Sequence, residues 1–577
     1  MAKNRKIIKG AVALICVAGI LVGGGIYAKE TNLKDRIWLS KYVSVTESSE
    51  QDSISVINNA KGVSIWNTDY QDTVTKKINS TFKKGDYTIE NPLLLINPYG
   101  TNTCSVNVYF EAEEGATLTY QVSTDEYGVF EQTAYTGNDG KKYEAQLLGF
   151  MPGEENTVTL TLTKDGEVIG QSEYTVTMPE AASDVTKQME IEEGTSTQEL
   201  TNGLYAVIGH SKNFDANVYL YDNNGVLRGE IPLKSYRSDR LLFIDNCMVY
   251  SYDTNKIAKV NRLGQIEETY KFSKDYELHH DFIYDEANNR ILMLASNTTG
   301  ETIEDLVLSL DLNTGETTQL IDMKDVMPEA YEAAIQPSYK KKLDWIHINS
   351  LQLTSEGDLL LSSRETSSII CVTDIDAEPT LSYIISDSSM WEGTVYEDKV
   401  LTKEGGFVAQ AGQHSITYMK VESEELEDGQ YYLYMFNNNF GYSGSRPGIK
   451  WTNYEGVGNY QKTADASKYY RYLVDTNKKT FTLVKEFDVP YSPYVSSAEN
   501  YGDNFVMGSG AIAKVEGLQV DEGYVAENGK PDSSYLSCFG EYDQDGVLIR
   551  RFRFYDDKYL YRTYKYDFNN FYFEETK

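Results

Sequence analysis

Beyond residue 200 of this 577-residue chain, one unit (a strand, a polar turn and a second strand) recurs six times. It occupies residues 218–226, 257–265, 306–315, 369–375, 472–480 and 538–546, with turns such as Asn223-Asn-Gly225 and Asp543-Gln-Asp-Gly546. Asparagine and glycine supply the positive φ that tight hairpins demand. Second hairpins at 283–291 and 351–359 fall between units, so a repeat supplies four strands. Such a repeat cannot bury its apolar face alone, and stacking copies around an axis solves that problem. The expected fold is all-β, with a six-bladed β-propeller over residues 201–577. A solenoid is the main rival, but its repeats are more regular in length than these. Residues 418–431 and 437–466 read as insertions between strands.

Upstream, alternating runs at 105–110, 117–122, 157–162 and 174–178 predict a small fibronectin III-like β-sandwich over residues 85–180. Residues 29–84 read as a stalk with helical character at 72–82, and 181–200 as a polar linker. At the start of the chain Lys3, Arg5, Lys6 and Lys9 precede an uncharged run over 10–28. That length approaches the ~20 residues that span a bilayer, with the cations on the inner side. Cleavage after Ala28 would place Ile26 where a small residue is preferred. Residues 1–28 are therefore a signal peptide or an uncleaved membrane anchor. The rest of the chain is expected outside the cytoplasm, anchored at the cell surface or secreted.

A formal net charge of −34 excludes nucleic acid as a partner, because phosphate backbones recruit basic surfaces. Cys104, Cys247, Cys371 and Cys538 are scattered, with no CxxC pair. They indicate neither a zinc knuckle nor a disulfide-dense scaffold, and read as core thiols.

The chemistry sits on histidine. The intervals from His280 to His347 and from His347 to His414 are both 67 residues, and each histidine opens a strand-like run. Equal spacing predicts equivalent positions on the innermost strands of three consecutive blades, with the imidazoles meeting at the channel mouth. Strand alternation selects His280 over His279 and puts Asn349 on the face of His347. Arg364 ends the next strand and returns toward the same rim. His210 has no such company and reads as structural. Three imidazoles, a guanidinium and a carboxamide would make an electropositive cradle for a small oxyanion. Trp345, Tyr418 and Tyr494 are candidates for stacking on an aromatic substrate.

The runs His279-His-Asp-Phe282, Asp344-Trp-Ile-His-Ile-Asn-Ser350, Leu361-Ser-Ser-Arg364 and Gly412-Gln-His-Ser415 resemble the motifs of bacterial aryl-sulfate sulfotransferases. The resemblance covers most of residues 85–577, and Asp-Trp-x-His-x-Asn-Ser is its most specific piece. It implies PAPS-independent, ping-pong transfer of a sulfuryl group from a phenolic sulfate to a phenol through a sulfohistidine. It implies His414 as nucleophile, with His280, His347, Asn349 and Arg364 in sulfate-binding and acid–base positions. The family's disulfide is not evident here. No cofactor is expected, and a phenolate leaves readily enough to need no metal. The partners are then a small phenolic sulfate, a phenol and, through the N-terminal segment, a membrane. Oligomeric state is open, a homodimer included.

Two other classes compete. Three histidines can ligate zinc or copper, and a propeller can bind a ligand without chemistry. A quinone-dependent dehydrogenase is a weaker option, because only five Trp occur and that propeller's repeated tryptophan signature is absent.

Overall fold

A computed structural model of the chain describes residues 38–575 except 59–61, 138–139, 182, 212–216, 421–425, 514–534 and 555–557. The expected signal peptide or anchor at 1–28 lies outside the described residues, as does part of the 418–431 insertion. Among the described residues no helix is long and apolar enough to cross a membrane.

The first body is a sandwich of a five-stranded and a four-stranded sheet. Its second sheet reads directly off the alternation: in Glu155–Lys164 every second residue from Asn156 to Leu162 is buried. The sandwich begins earlier than expected. Ser44–Glu47 and Ile54–Asn58, inside the presumed stalk, add two strands to the first sheet. Ile54–Asn58 runs parallel to Leu93–Ile96, and a parallel pair needs a crossover. The helix Thr68–Phe82 lies between them in sequence, capped by the Asn67 side chain, which accepts from Tyr70 N–H at 3.1 Å. It buries Tyr70, Val74 and Ile78.

Six further sheets follow in sequence, numbered here 1 to 6. Sheets 2, 3 and 4 each consist of four consecutive antiparallel strands. The first strands of sheets 3, 4, 5 and 6 are Tyr276–Asp285, Ile348–Leu353, His414–Met419 and Ser497–Tyr501. Each lies against the next, in a propeller-like succession. Sheet 1 closes the chain on itself: its inner strand is the late segment Arg562–Tyr566, paired with Leu204–Ile208. Sheet 6 borrows its outer strand, Glu190–Glu193, from the stretch expected to be a linker, which is therefore partly built into the fold.

Both bodies share one apolar cluster, in which Tyr120, Leu147 and Phe150 of the sandwich pack with Leu204, Met248 and Phe571. Backbone bonds from Thr103 N–H to Glu230 O and from Gly149 N–H to Arg228 O, each 2.9 Å, stitch the same boundary. All four described cysteines are buried and free, so no disulfide joins the described residues.

Candidate functional site

His280, His347, Arg364 and His414 line one cavity of about 350 Å³ where the inner strands of sheets 3, 4 and 5 meet. Long connections wall it. Tyr339 and Lys340 come from the segment before sheet 4, Tyr442 and Tyr460 from the expected 437–466 insertion, and Tyr494 from the turn entering sheet 6.

Equal spacing brought these histidines to notice, but it does not mark equivalent positions. Leu351 N–H donates to Asp281 Oδ2 at 3.4 Å, Ile416 N–H to Ser350 Oγ at 3.1 Å, and Thr563 N–H to Ser497 Oγ at 2.9 Å. These repeated bonds between neighbouring sheets align His280 with Asn349, His414 and Tyr561. His347 sits two residues upstream of its sheet's equivalent, just before the strand begins. It reaches the cavity through a left-handed backbone, φ 48°, and His280 has φ 63° at a bulge between Leu278 and Phe282. Non-glycine residues held there cost of order 1 kcal/mol or more, and such strain collects at functional sites.

The three imidazoles sit in different electrostatic settings. His414 is buried, and its Nδ1 lies 3.0 Å from Gly412 O and 2.8 Å from Asn438 Oδ1. Asn438 spends its own N–H groups on Ser492 O and Val495 O, at 2.7 and 3.0 Å, so its oxygen must face His414. Both neighbours of Nδ1 are acceptors, so Nδ1 carries the proton and Nε2 keeps a lone pair. Burial, with His280, His347 and Arg364 nearby, holds the His414 pKa well below the ordinary histidine value. His414 is thus a neutral, oriented imidazole with Nε2 left for the cavity.

His347 is the opposite case. Its Nδ1 faces Asp344 Oδ2 at 2.9 Å and also contacts Glu304 Oε2. Burial and Arg364 push its pKa down, but Asp344 and Glu304 outweigh them and hold it above the ordinary value. Arg364 lies beside the same carboxylate, Nη2 to Asp344 Oδ2 at 3.4 Å, and its backbone N–H donates to His347 O at 3.1 Å. Lys340 Nζ reaches Asp344 Oδ2 at 2.7 Å.

His280 is neutral. Burial pushes its pKa down to about 4 despite the opposing pull of Glu304. Its Nδ1 is 2.8 Å from Tyr561 Oη and 3.4 Å from Arg237 Nη2, a group that can only donate. The proton therefore sits on Nε2, 3.4 Å from Glu304 Oε1.

An imidazole nitrogen with its lone pair toward the cavity, a second imidazole whose proton two carboxylates favour, and a guanidinium in an aromatic-walled cavity suit an anion borne on an aryl group. The family model for arylsulfotransferase (ASST) matches residues 190–546, and that for the arylsulfotransferase Ig-like domain matches residues 93–179. The chain belongs to the arylsulfotransferase family. Membership supports sulfuryl transfer as the broad activity class. No curated protein matches the chain. Among solved structures it is similar to a protein of unknown function from Bacteroides caccae, at 10% identity over 63% of this chain and 98% of that one, with a TM-score of 0.34. BamB from Moraxella catarrhalis matches at 12% identity over 64% and 100%, with a TM-score of 0.27. Likenesses so slight carry no argument about this arylsulfotransferase.

Three expected substrate contacts lie elsewhere. Asn349 is fully buried and donates to Gln413 O at 2.7 Å, because the bulge between Ile348 and Ser350 breaks the alternation that would have aimed it beside His347. It braces the backbone entering His414. Trp345 is sealed in an apolar cluster, its Nε1–H donating to Asp305 Oδ2 at 3.0 Å. Tyr418 lines a different cavity and lies 2.9 Å from Ser355 Oγ. Tyr494 does line the site. His279 is buried outside the cavity lining, and His210 packs against Phe554.

The expected electropositive cradle of imidazoles, guanidinium and carboxamide is also corrected: Glu304 and Asp344 bring negative charge among the histidines. Glu304 gave no sequence signal, since it follows Ser296 in an irregular stretch and reaches the site at φ 60°. Asn438 belonged to the visible run Asn437-Asn-Asn439. His280, Glu304 and His347 place donor atoms within 4.8 Å of one another, close enough to hold a metal ion. However, the nitrogens facing Glu304 both carry protons, one opposite Arg237 and one among carboxylate oxygens. To bind a metal both rings would have to release those protons, and the raised pKa of His347 opposes that release.

Proposed function

We propose that this chain transfers a sulfuryl group from an aryl sulfate to a phenol, without PAPS, by a ping-pong mechanism through sulfohistidine at His414. The observation that carries the reading is the lone pair on His414 Nε2, fixed by Asn438 and facing a cavity that also holds the His347 imidazolium and Arg364. On this reading the six sheets are the blades of a propeller that delivers these groups to its mouth. The site works outside the cytoplasm, with the chain anchored or secreted.

Sulfuryl transfer, like phosphoryl transfer, can proceed through a loose transition state, so positioning and charge stabilisation dominate. His414 Nε2 attacks sulfur in line with the departing phenolate oxygen. Arg364 and His347 stabilise the charge that builds on the sulfonate and leaving oxygens. His347 Nε2–H protonates the departing oxygen, and the phenol leaves. An acceptor phenol then enters between the tyrosines, returns its proton to His347 and takes the sulfuryl group from nitrogen. The ring wall is continuous: Tyr442 and Tyr460 meet edge-on at 5.0 Å between centroids, and Arg364 lies over Tyr442 at 5.3 Å. It suits an aryl group on either substrate.

The test offers 4-nitrophenyl sulfate with and without phenol. Release of nitrophenol that depends on phenol, and a sulfated peptide containing His414 trapped without acceptor, are the expected results. Label on His280 or His347 instead would overturn the choice of nucleophile. No transfer from any aryl sulfate would overturn the reaction.

A further inference from the structure

We infer that Glu304 is a positioning residue that keeps a proton on His347 and orients His280 beside it, making His347 the acid for donors whose phenolate leaves poorly. The inference deepens the sulfuryl-transfer reading and rests on it. Glu304 Oε2 contacts His347 Nδ1 while Oε1 lies 3.4 Å from His280 Nε2, so one carboxylate spans both rings, whose centroids are 5.1 Å apart. The side chain lines the cavity, and its backbone is held at φ 60° with N–H donating to Ser296 Oγ at 2.8 Å. Ile348 N–H in turn donates to Glu304 O at 2.9 Å, tying Glu304 to the strand that follows His347. Strained backbone and two ring contacts hold the carboxylate beside both imidazoles.

Asp344 does not make Glu304 redundant. Its Oδ2 is shared among Lys340, Arg364 and His347, at 2.7, 3.4 and 2.9 Å. Two cations draw on that oxygen, whereas the ion-pair contacts of the Glu304 carboxylate among the described residues are with the two rings. The proton count closes. In the first half-reaction the His414 Nε2 pair forms the N–S bond, and the S–O bond gives its pair to the phenolate oxygen. His347 Nε2–H protonates that oxygen, leaving a neutral imidazole whose Nδ1–H still faces Glu304 and Asp344. In the second half the acceptor's O–H proton returns to His347 Nε2 as oxygen bonds sulfur, and the N–S pair returns to His414.

Glu304→Gln in the full chain tests this, with Glu304→Asp as the conservative partner. Phenyl sulfate, with its poorer leaving group, should lose about 10²-fold or more in kcat/KM, the scale of general acid catalysis. 4-Nitrophenyl sulfate should lose only a few-fold, and Glu304→Asp should recover part of the phenyl sulfate rate. The alkaline limb of the pH profile should move to lower pH. Nitrogen-15 NMR of the imidazoles should show His347 doubly protonated above pH ~6.5 in the wild type and singly protonated in Glu304→Gln. Equal losses on both donors with an unmoved pH limb would reduce Glu304 to scaffolding. A wild-type His347 that titrates below ~6.5 overturns the inference even if no variant folds. The NMR arm stands apart from the reaction: wild type inactive on every aryl sulfate sinks the sulfuryl-transfer reading and with it the acid role. The spectra still report whether Glu304 holds the proton.

Discussion

Two buried ionic clusters lie near the centre of this molecule, and they are built to opposite ends. In the first, Lys565 Nζ meets Thr201 O, Tyr205 Oη, Asn223 Oδ1 and Glu541 Oε2 at 2.6 to 3.1 Å. In the second, at the mouth of sheets 3 to 5, His414 and His347 each bond through Nδ1 alone and leave Nε2 for the cavity. Burial is similar. Saturation differs. A buried charge whose directions are filled holds inner strands in register. A buried nitrogen with one direction filled and one open is oriented for chemistry.

The comparison breaks most easily at His414. His414→Ala should cut aryl-sulfate turnover by about 10³-fold or more, with a loss of stability of about 1–3 kcal/mol from the orphaned Asn438 oxygen, less than orphaning a buried charge. Transfer retained in that variant would end the distinction between the clusters. Glu541→Ala should do the reverse. It leaves Lys565 buried without its counter-ion, at a cost of about 3–5 kcal/mol in chemical denaturation. The rate per folded molecule should stay near wild type.

A smaller effect sharpens the open cluster. Asn438→Ala removes the side-chain acceptor that fixes the His414 tautomer, while Gly412 O remains. Loss of such an orienting contact costs about 10- to 100-fold in activity, read as kcat falling with KM nearly constant. pH dependence follows from two opposed shifts. The His414 pKa lies well below 6.5, so its imidazole stays neutral into mildly acid solution. The His347 pKa is raised, so its proton is fully present below the unfolded value of ~6.5 and is lost only as pH rises through the higher folded value. Activity should therefore hold through pH ~6.5 and fall on the alkaline side. A fall centred on the acid side would reverse the assignment of the two histidines. The smallest expected effect is none: dialysis against EDTA should leave the rate unchanged. Metal-dependent recovery would revive the metal reading of His280, Glu304 and His347.

Much of this was legible in the chain. The recurring hairpins announced all six sheets, because a period of two in burial and asparagine or glycine at turns are local properties. The four cavity residues His280, His347, Arg364 and His414 were also legible, partly by coincidence. From His280 to Asn349 to His414, the positions that the bonds between sheets align, the intervals are 69 and 65 residues. His347 kept the even spacing only because it sits two residues upstream and bends in. The same bends explain the failures. Asn349 was placed by alternation, which stops holding at a bulge. Trp345 was offered only as an aromatic near the rim, in a stretch before the strand starts where no pattern fixes which way it points.

Sequence alone determined the class of fold and the sign of the overall charge, since each depends on local pattern or on counting. Tertiary structure decided which imidazole is neutral and which charged. Burial and the neighbouring cations keep His414 neutral, and Asp344 and Glu304 hold the proton on His347, while Asn438 orients the His414 ring. Glu304 and Asn438 come from irregular segments far along the chain from the rings they meet. Protonation is set by the few ångströms around a ring, and only the folded chain brings those atoms together.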